Sequence, residues 1–144
     1  MAITQTPDPT VLSRPATQLK LASLATLGFA VILGLGSHDL TDGVVQWFAD
    51  LLFWPLGDTQ EFTDEARLLA AILGGVMASW AILLWLLTDA LADDHPELLR
   101  RLIFTTMTIW FVIDGIGSVA AGAWLNVVGN LGFLVLFILP ARQL

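Results

Sequence analysis

The stretch LLAAILGGVMASWAILLWLLT, Leu68 to Thr88, runs for twenty-one residues without a charge. A helix of that length rises about 30 Å, the thickness of a bilayer's hydrocarbon core. Thr63, Asp64 and Glu65 stand just ahead of it, the capping hydroxyl and early acids with which helices begin. The rest of the chain agrees with a membrane reading. Of its 144 residues 56% are hydrophobic and only 13% charged, where a soluble domain carries about a quarter, and the mean hydropathy is +0.78.

Three further apolar runs flank this segment. The first, 19–36, is interrupted near its start by Lys20; another, 102–123, carries one charge at Asp114; the last, 125–139, stops at Pro140. With the central run extended to 67–90, the pattern predicts an all-α, integral membrane four-helix bundle over residues 19–140. Asp93, Asp94 and then Pro96 mark the start of the third span. So few residues separate the third and fourth spans, near Trp124, that the two must form a tight antiparallel hairpin. Residues 1–18, with Pro7, Pro9 and Pro15, read as an extended tail. A basic residue followed by an apolar run also resembles a signal peptide, with Gly34 and Gly36 as small residues at its end. The long leader and the missing alanine at the cleavage positions favour an uncleaved first helix.

Between the first two spans, residues 41–54 differ. Val44, Val45, Phe48, Leu51 and Leu52 repeat with helical spacing. Some fourteen residues are too few to cross a bilayer but suit an interfacial amphipathic helix ended by Pro55. Trp47, Phe48 and Trp54 are its expected docking residues, either as a lid or as packing across the end of the bundle; the packing is the simpler expectation.

Basic residues orient the bundle. Arg14 and Lys20 precede the first span, Arg100 and Arg101 the third, and Arg142 follows the fourth; only Arg67 lies toward the other side. The positive-inside rule then predicts N-in/C-in, with the tail cytoplasmic. The opposite side gathers Asp39, Asp42, Asp50, Asp58, Glu61, Asp64 and Glu65, either a solvated acidic rim or a mouth that concentrates cations.

Several classes of function are excluded or disfavoured. With no cysteine there are no disulfides, thiolate metal sites or cysteine nucleophiles. A net charge of −7 argues against nucleic acid and against a polybasic lipid-binding face. His38 and His95 fall at opposite ends of the bundle and cannot share a haem or zinc. No Ser-His-Asp set sits at one depth, and no glycine loop is built for phosphate. The expectation is therefore no catalytic residue, no metal, no cofactor and no enzymatic activity.

Asp114 is the one ionisable residue deep in a span. Ten residues, or about 15 Å, separate it from the turn at Trp124, which puts it near mid-bilayer. An acid there costs on the order of 3 kcal/mol to insert and should face the bundle interior. It either carries a proton and donates a hydrogen bond, or ionises against Arg67 reaching inward as its charge partner. Ser118 stands one turn along the same face, and Asn126 and Asn130 are also four apart on the returning helix. Asp114, Ser118, Asn126 and Asn130 are thus expected to form one intramembrane polar seam: a hydrogen-bonded clamp, or a proton or ligand site. Gly74, Gly75, Ala78 and Ser79, and Gly117 with Ala121 and Ser118 with Gly122, are small-residue pairs that let helices approach closely. Trp80, Trp85 and Trp110 lie within the spans, where they face lipid or contact a pigment, a quinone or another subunit.

The run Trp110-Phe111-Val112-Ile113-Asp114, followed by Gly117-Ser118, Ala121-Gly122, Asn126, Asn130 and Pro140, resembles a family of small four-helix inner-membrane proteins of proteobacteria, loosely DoxX-like in size. The resemblance covers about Glu65 to Arg142 and implies a multi-pass protein of the bacterial inner membrane; it implies no reaction. The first half lacks the Arg- and Gly-containing opening of DoxX proteins themselves. The function expected on these grounds is a non-catalytic accessory or structural subunit, embedded in lipid and packed against other subunits of a larger membrane complex of the photosynthetic or respiratory, energy-converting kind. The alternative is a small proton- or cation-coupled transporter or channel that uses Asp114.

Overall fold

The computed structural model describes residues 15–55 and 62–144; the expected tail before Pro15, with Arg14, and the acids Asp58 and Glu61 lie outside the described residues. Five helices and no strand make up the described chain: α1 (Pro15–Leu35), α2 (Gly43–Leu52), α3 (Asp64–Leu91), α4 (Pro96–Ala120) and α5 (Trp124–Ala141). Four of them, all but α2, are long and apolar enough to cross a membrane.

Boundaries differ from expectation where local chemistry overrides a hydropathy count. Pro15 to Gln18 are helical, not extended, because proline at the first helical position gives up an N–H that would have no partner there. α4 ends at Ala120, three residues early, since Gly122 takes φ +82°. Its neighbours close the helix end: Ala123 N–H donates to Ser118 C=O and Gly122 N–H to Val119 C=O, satisfying carbonyls the helix leaves open. α5 carries one residue past Pro140. The proline loses a single helical donor in the last turn, and Pro140 and Ala141 are both buried against the bundle.

α1 is the central helix. It packs along most of α3 and also against α5, while α5 pairs with α4; α3 and α4 touch only sparsely. The α1–α3 seam is lined by small side chains, with Ala22, Ser23, Thr26 and Ala30 buried on one side and Ala70, Gly74, Ala81 and Thr88 on the other. A Cβ placed on Gly74 would stand 2.7 Å from Gly34 N and 2.9 Å from Ala30 O. At that crossing the two helices meet backbone to backbone, as small residues allow. Ser23 and Thr26 return their hydroxyls to Leu19 and Ala22 C=O at 3.0 and 2.9 Å, so their burial leaves no donor unmet.

A larger apolar cluster closes the end of the bundle farther from α2. Leu19 and Ala22 of α1, Leu84 of α3, Leu99, Ile103 and Met107 of α4, and Phe137 and Ala141 of α5 meet there. Trp80 packs beside this cluster, its ring 5.9 Å from Trp110 and 6.3 Å from Phe137. Trp80 and Trp110 therefore contribute to the bundle's interior rather than lying wholly on its surface. At the same end Lys20 of α1 forms an ion pair with Asp89 of α3 and sits 5.5 Å from the centre of the Trp85 ring.

Candidate functional site

The polar residues of α4 and α5 meet because of how the hairpin turns. Asp114 and Ser118 precede the end of α4 by six and two residues; Asn130 and Asn126 follow the start of α5 by six and two. Equal counts on antiparallel helices place partners at equal depth, and four-residue spacing keeps each pair on one face. The result is a two-rung ladder. Asn126 Nδ2 donates to Ser118 Oγ at 2.8 Å and to Asp114 Oδ1 at 2.9 Å. Asn130 Nδ2 donates to Asp114 Oδ1, and Ser118 Oγ donates to the same oxygen at 3.0 Å.

Three donors thus converge on Oδ1. Saturated in this way, Oδ1 acts purely as an acceptor. Among the described residues Oδ2 has no hydrogen-bond partner, yet no buried side-chain oxygen lacks one. Oδ2 is therefore open, and it opens on a shallow cleft of about 330 Å³ lined by Asp114, Gly117, Ser118, Ala121 and Ala123. α4 ends early, so Asp114 lies six residues, about 9 Å, from the helix end.

Arg67, offered as a charge partner for Asp114, is engaged elsewhere. Its Nη2 and Nε donate to Asp42 Oδ2 at 2.9 and 3.3 Å, and its Nη1 lies 3.4 Å from Asp39 and 3.6 Å from Asp64. Arg67 is only one turn into α3, and Asp42 immediately precedes α2, so the guanidinium is held among the acids of this rim instead of reaching down the span. Asp42 is 8% exposed, and its charge stands at the N-terminus of α2, where the helix dipole favours an anion. The ion pair pins the start of α2 to the start of α3.

The three residues expected to dock α2 do not share a face. Phe48 turns inward, its ring 5.3 Å from that of Phe29, which in turn packs on Phe133 of α5 at 5.6 Å. Val45 is buried beside Gly36. Trp47 and Trp54 face outward at 66% and 61% exposure, with Leu40, Val44 and Leu51 also exposed. The apolar side of α2 is thus divided: Val45 and Phe48 pack inward, and Val44, Trp47 and Leu51 stay exposed. Among the described residues no group of His, Asp and Glu is arranged to hold a metal ion.

Sequence reasoning overlooked three of these features. Asp42 and Lys20–Asp89 are charge pairs between elements far apart in the chain, for which spacing carries no signal. The Gly34–Gly74 crossing was partly signalled: Ala30-x-x-x-Gly34 and Ala70-x-x-x-Gly74 are small-residue pairs at helical spacing.

Comparison with known protein families, curated proteins and solved structures finds no match to this chain.

Proposed function

We propose that this chain is a non-catalytic, multi-pass subunit of the bacterial inner membrane, an accessory or structural component that packs against a larger membrane complex. The α2 end faces outward and both termini face the cytoplasm, with α2 lying in the outer interface. The observation that carries this reading is the economy of the polar seam. Every donor within reach of Asp114 belongs to the same hairpin and is committed to Oδ1. Between Arg101 and Arg142 Asp114 is the only ionisable residue, so the hairpin carries no second group to receive a proton. Interhelical bonds of this kind stabilise a membrane hairpin by about 0.6–2 kcal/mol each. The polar groups of the seam, Asp114 Oδ2 apart, are thus accounted for by holding α4 to α5.

Orientation rests on the side to which Lys20, Arg100, Arg101 and Arg142 belong, opposite α2 and Arg67. The divided apolar side of α2 supports an interfacial position, because Trp47, Trp54, Val44 and Leu51 gain by entering the headgroup boundary.

Purification in nanodiscs at low detergent, with mass spectrometry of what accompanies the chain, tests the subunit reading. A stoichiometric membrane-protein partner is expected, and recovery as a lone monomer would sink it. A reporter fused after Leu144 is expected on the cytoplasmic side; its appearance outside would overturn the orientation. The transporter reading draws on the open Oδ2 and its cleft, and Asp114→Asn separates the two. The amide oxygen still accepts the hairpin's donors, so a clamp survives, whereas a proton-coupled flux does not.

A further inference from the structure

Oδ2 of Asp114 is a polar atom of a spanning helix left facing a cleft in the bundle surface. An uncovered carboxyl oxygen at membrane depth is costly, and acyl chains filling the cleft would give it nothing. The walls are small: Gly117 and Ala121 stand four apart beside Asp114, and a Cβ on Gly117 would meet nothing within 4 Å. Small residues beside a polar group form the surface on which membrane helices associate closely. Building on the subunit reading, we propose that this cleft seats a transmembrane helix of a different protein, one that presents a lysine or arginine to Asp114 about 9 Å below the outer end of the span.

Charge complementarity selects this occupant over a second copy. The chain's own basic residues within the described structure are Lys20, Arg67, Arg100, Arg101 and Arg142. Lys20 is paired with Asp89, and Arg67 is surrounded by Asp39, Asp42 and Asp64. Arg100, Arg101 and Arg142 lie at the end of the bundle opposite the hairpin turn. Among its described residues a second copy therefore has no free cation at the depth of Asp114. The partner must supply one, and such a helix needs an acid opposite it for the same reason that Asp114 needs a base.

The test uses the full chain in lipid vesicles with a labelled designed helix of leucine and alanine. One version carries a single lysine about 9 Å from its outer end, one has leucine there, and one has the lysine at the far end. Energy transfer from the native tryptophans reads association. The first helix is expected to bind roughly tenfold more tightly than the other two. That preference should vanish in Asp114→Asn, which preserves the hairpin, and in Gly117→Leu, which fills the cleft without touching the carboxyl. Equal binding of all three helices, or a preference that survives Asp114→Asn, would overturn the proposal. So would proton or cation flux by the chain alone that Asp114→Asn abolishes. The nanodisc purification keeps the two readings apart. No lysine preference alongside a co-purifying partner removes the cleft proposal alone; a lone monomer removes the subunit reading and this proposal with it.

Discussion

Replacing Gly74 by alanine adds one methyl group at the point where α1 and α3 come closest. That methyl would stand 2.7 Å from Gly34 N, 2.8 Å from Gly34 Cα and 2.9 Å from Ala30 O, against the 3.4 Å at which ordinary contact begins. All three neighbours are backbone, so no side chain can swing aside, and the helices must separate by about 0.5–0.7 Å. A gap of that size forfeits roughly a quarter of each close contact, worth about 0.1–0.2 kcal/mol apiece. Spread over the few dozen atom pairs of this seam, the loss is of order 1–3 kcal/mol, the range typical of overpacking. Gly75 supplies the control, because a Cβ there meets nothing within 4 Å. Unfolding in mixed micelles, followed by tryptophan fluorescence, should show Gly74→Ala less stable by about 1–3 kcal/mol and Gly75→Ala unchanged or slightly more stable. If the two variants unfold together, the backbone crossing at Gly34 and Gly74 is not what joins α1 to α3.

Substitutions in the seam, at Arg67 and at the α4–α5 turn probe the remaining joints. Asn126→Leu and Asn130→Leu should each cost about 0.6–2 kcal/mol, with a double mutant losing less than their sum because both donate to Asp114 Oδ1; full additivity in a double-mutant cycle would argue against a shared seam. Arg67→Gln leaves the buried Asp42 without its cation and should loosen the start of α2, seen as faster hydrogen exchange across residues 43–52; unchanged exchange there would mean the pair does not hold α2. Gly122→Val forces a branched side chain into φ +82° and should cost about 1–2 kcal/mol in the same micelle assay, whereas Gly129→Ala, with open space around it, should not; equal stability of the two would place the turn's demand elsewhere.

The four long apolar helices were legible because hydropathy over twenty residues is a summed signal, and no single residue has to be read correctly. Their ends were less so. Pro15, Gly122 and Pro140 each set a boundary through local backbone chemistry that an apolar count does not register. The face of α2 was half legible. The stripe Val44, Val45, Phe48, Leu51 identified an amphipathic helix, but its apolar side is broader than the part that α1 and α5 cover, and the stripe does not say which part turns inward. That choice is made by Phe29 and Phe133, more than a dozen and eighty residues away in the chain respectively.

The polar seam and Arg67 show where the limit falls and why. Asp114, Ser118, Asn126 and Asn130 could be placed together from the chain alone because a tight turn makes depth a matter of counting, and the counts on its two sides match. Arg67 and Asp114 lie on helices that touch only sparsely, so no count relates them, and an ion pair between them was only one of two ways to accommodate the acid. The guanidinium instead has three carboxylates within 4 Å, Asp39 and Asp42 of the loop before α2 and Asp64 at the start of α3, and a cation gains more from several acids close at hand than from descending a span to one. With Arg67 retained at the rim, Asp114 has no cation among the described residues of its own chain, and its second oxygen faces outward. The same competition that dissolves the expected ion pair is what leaves the cleft open to a partner.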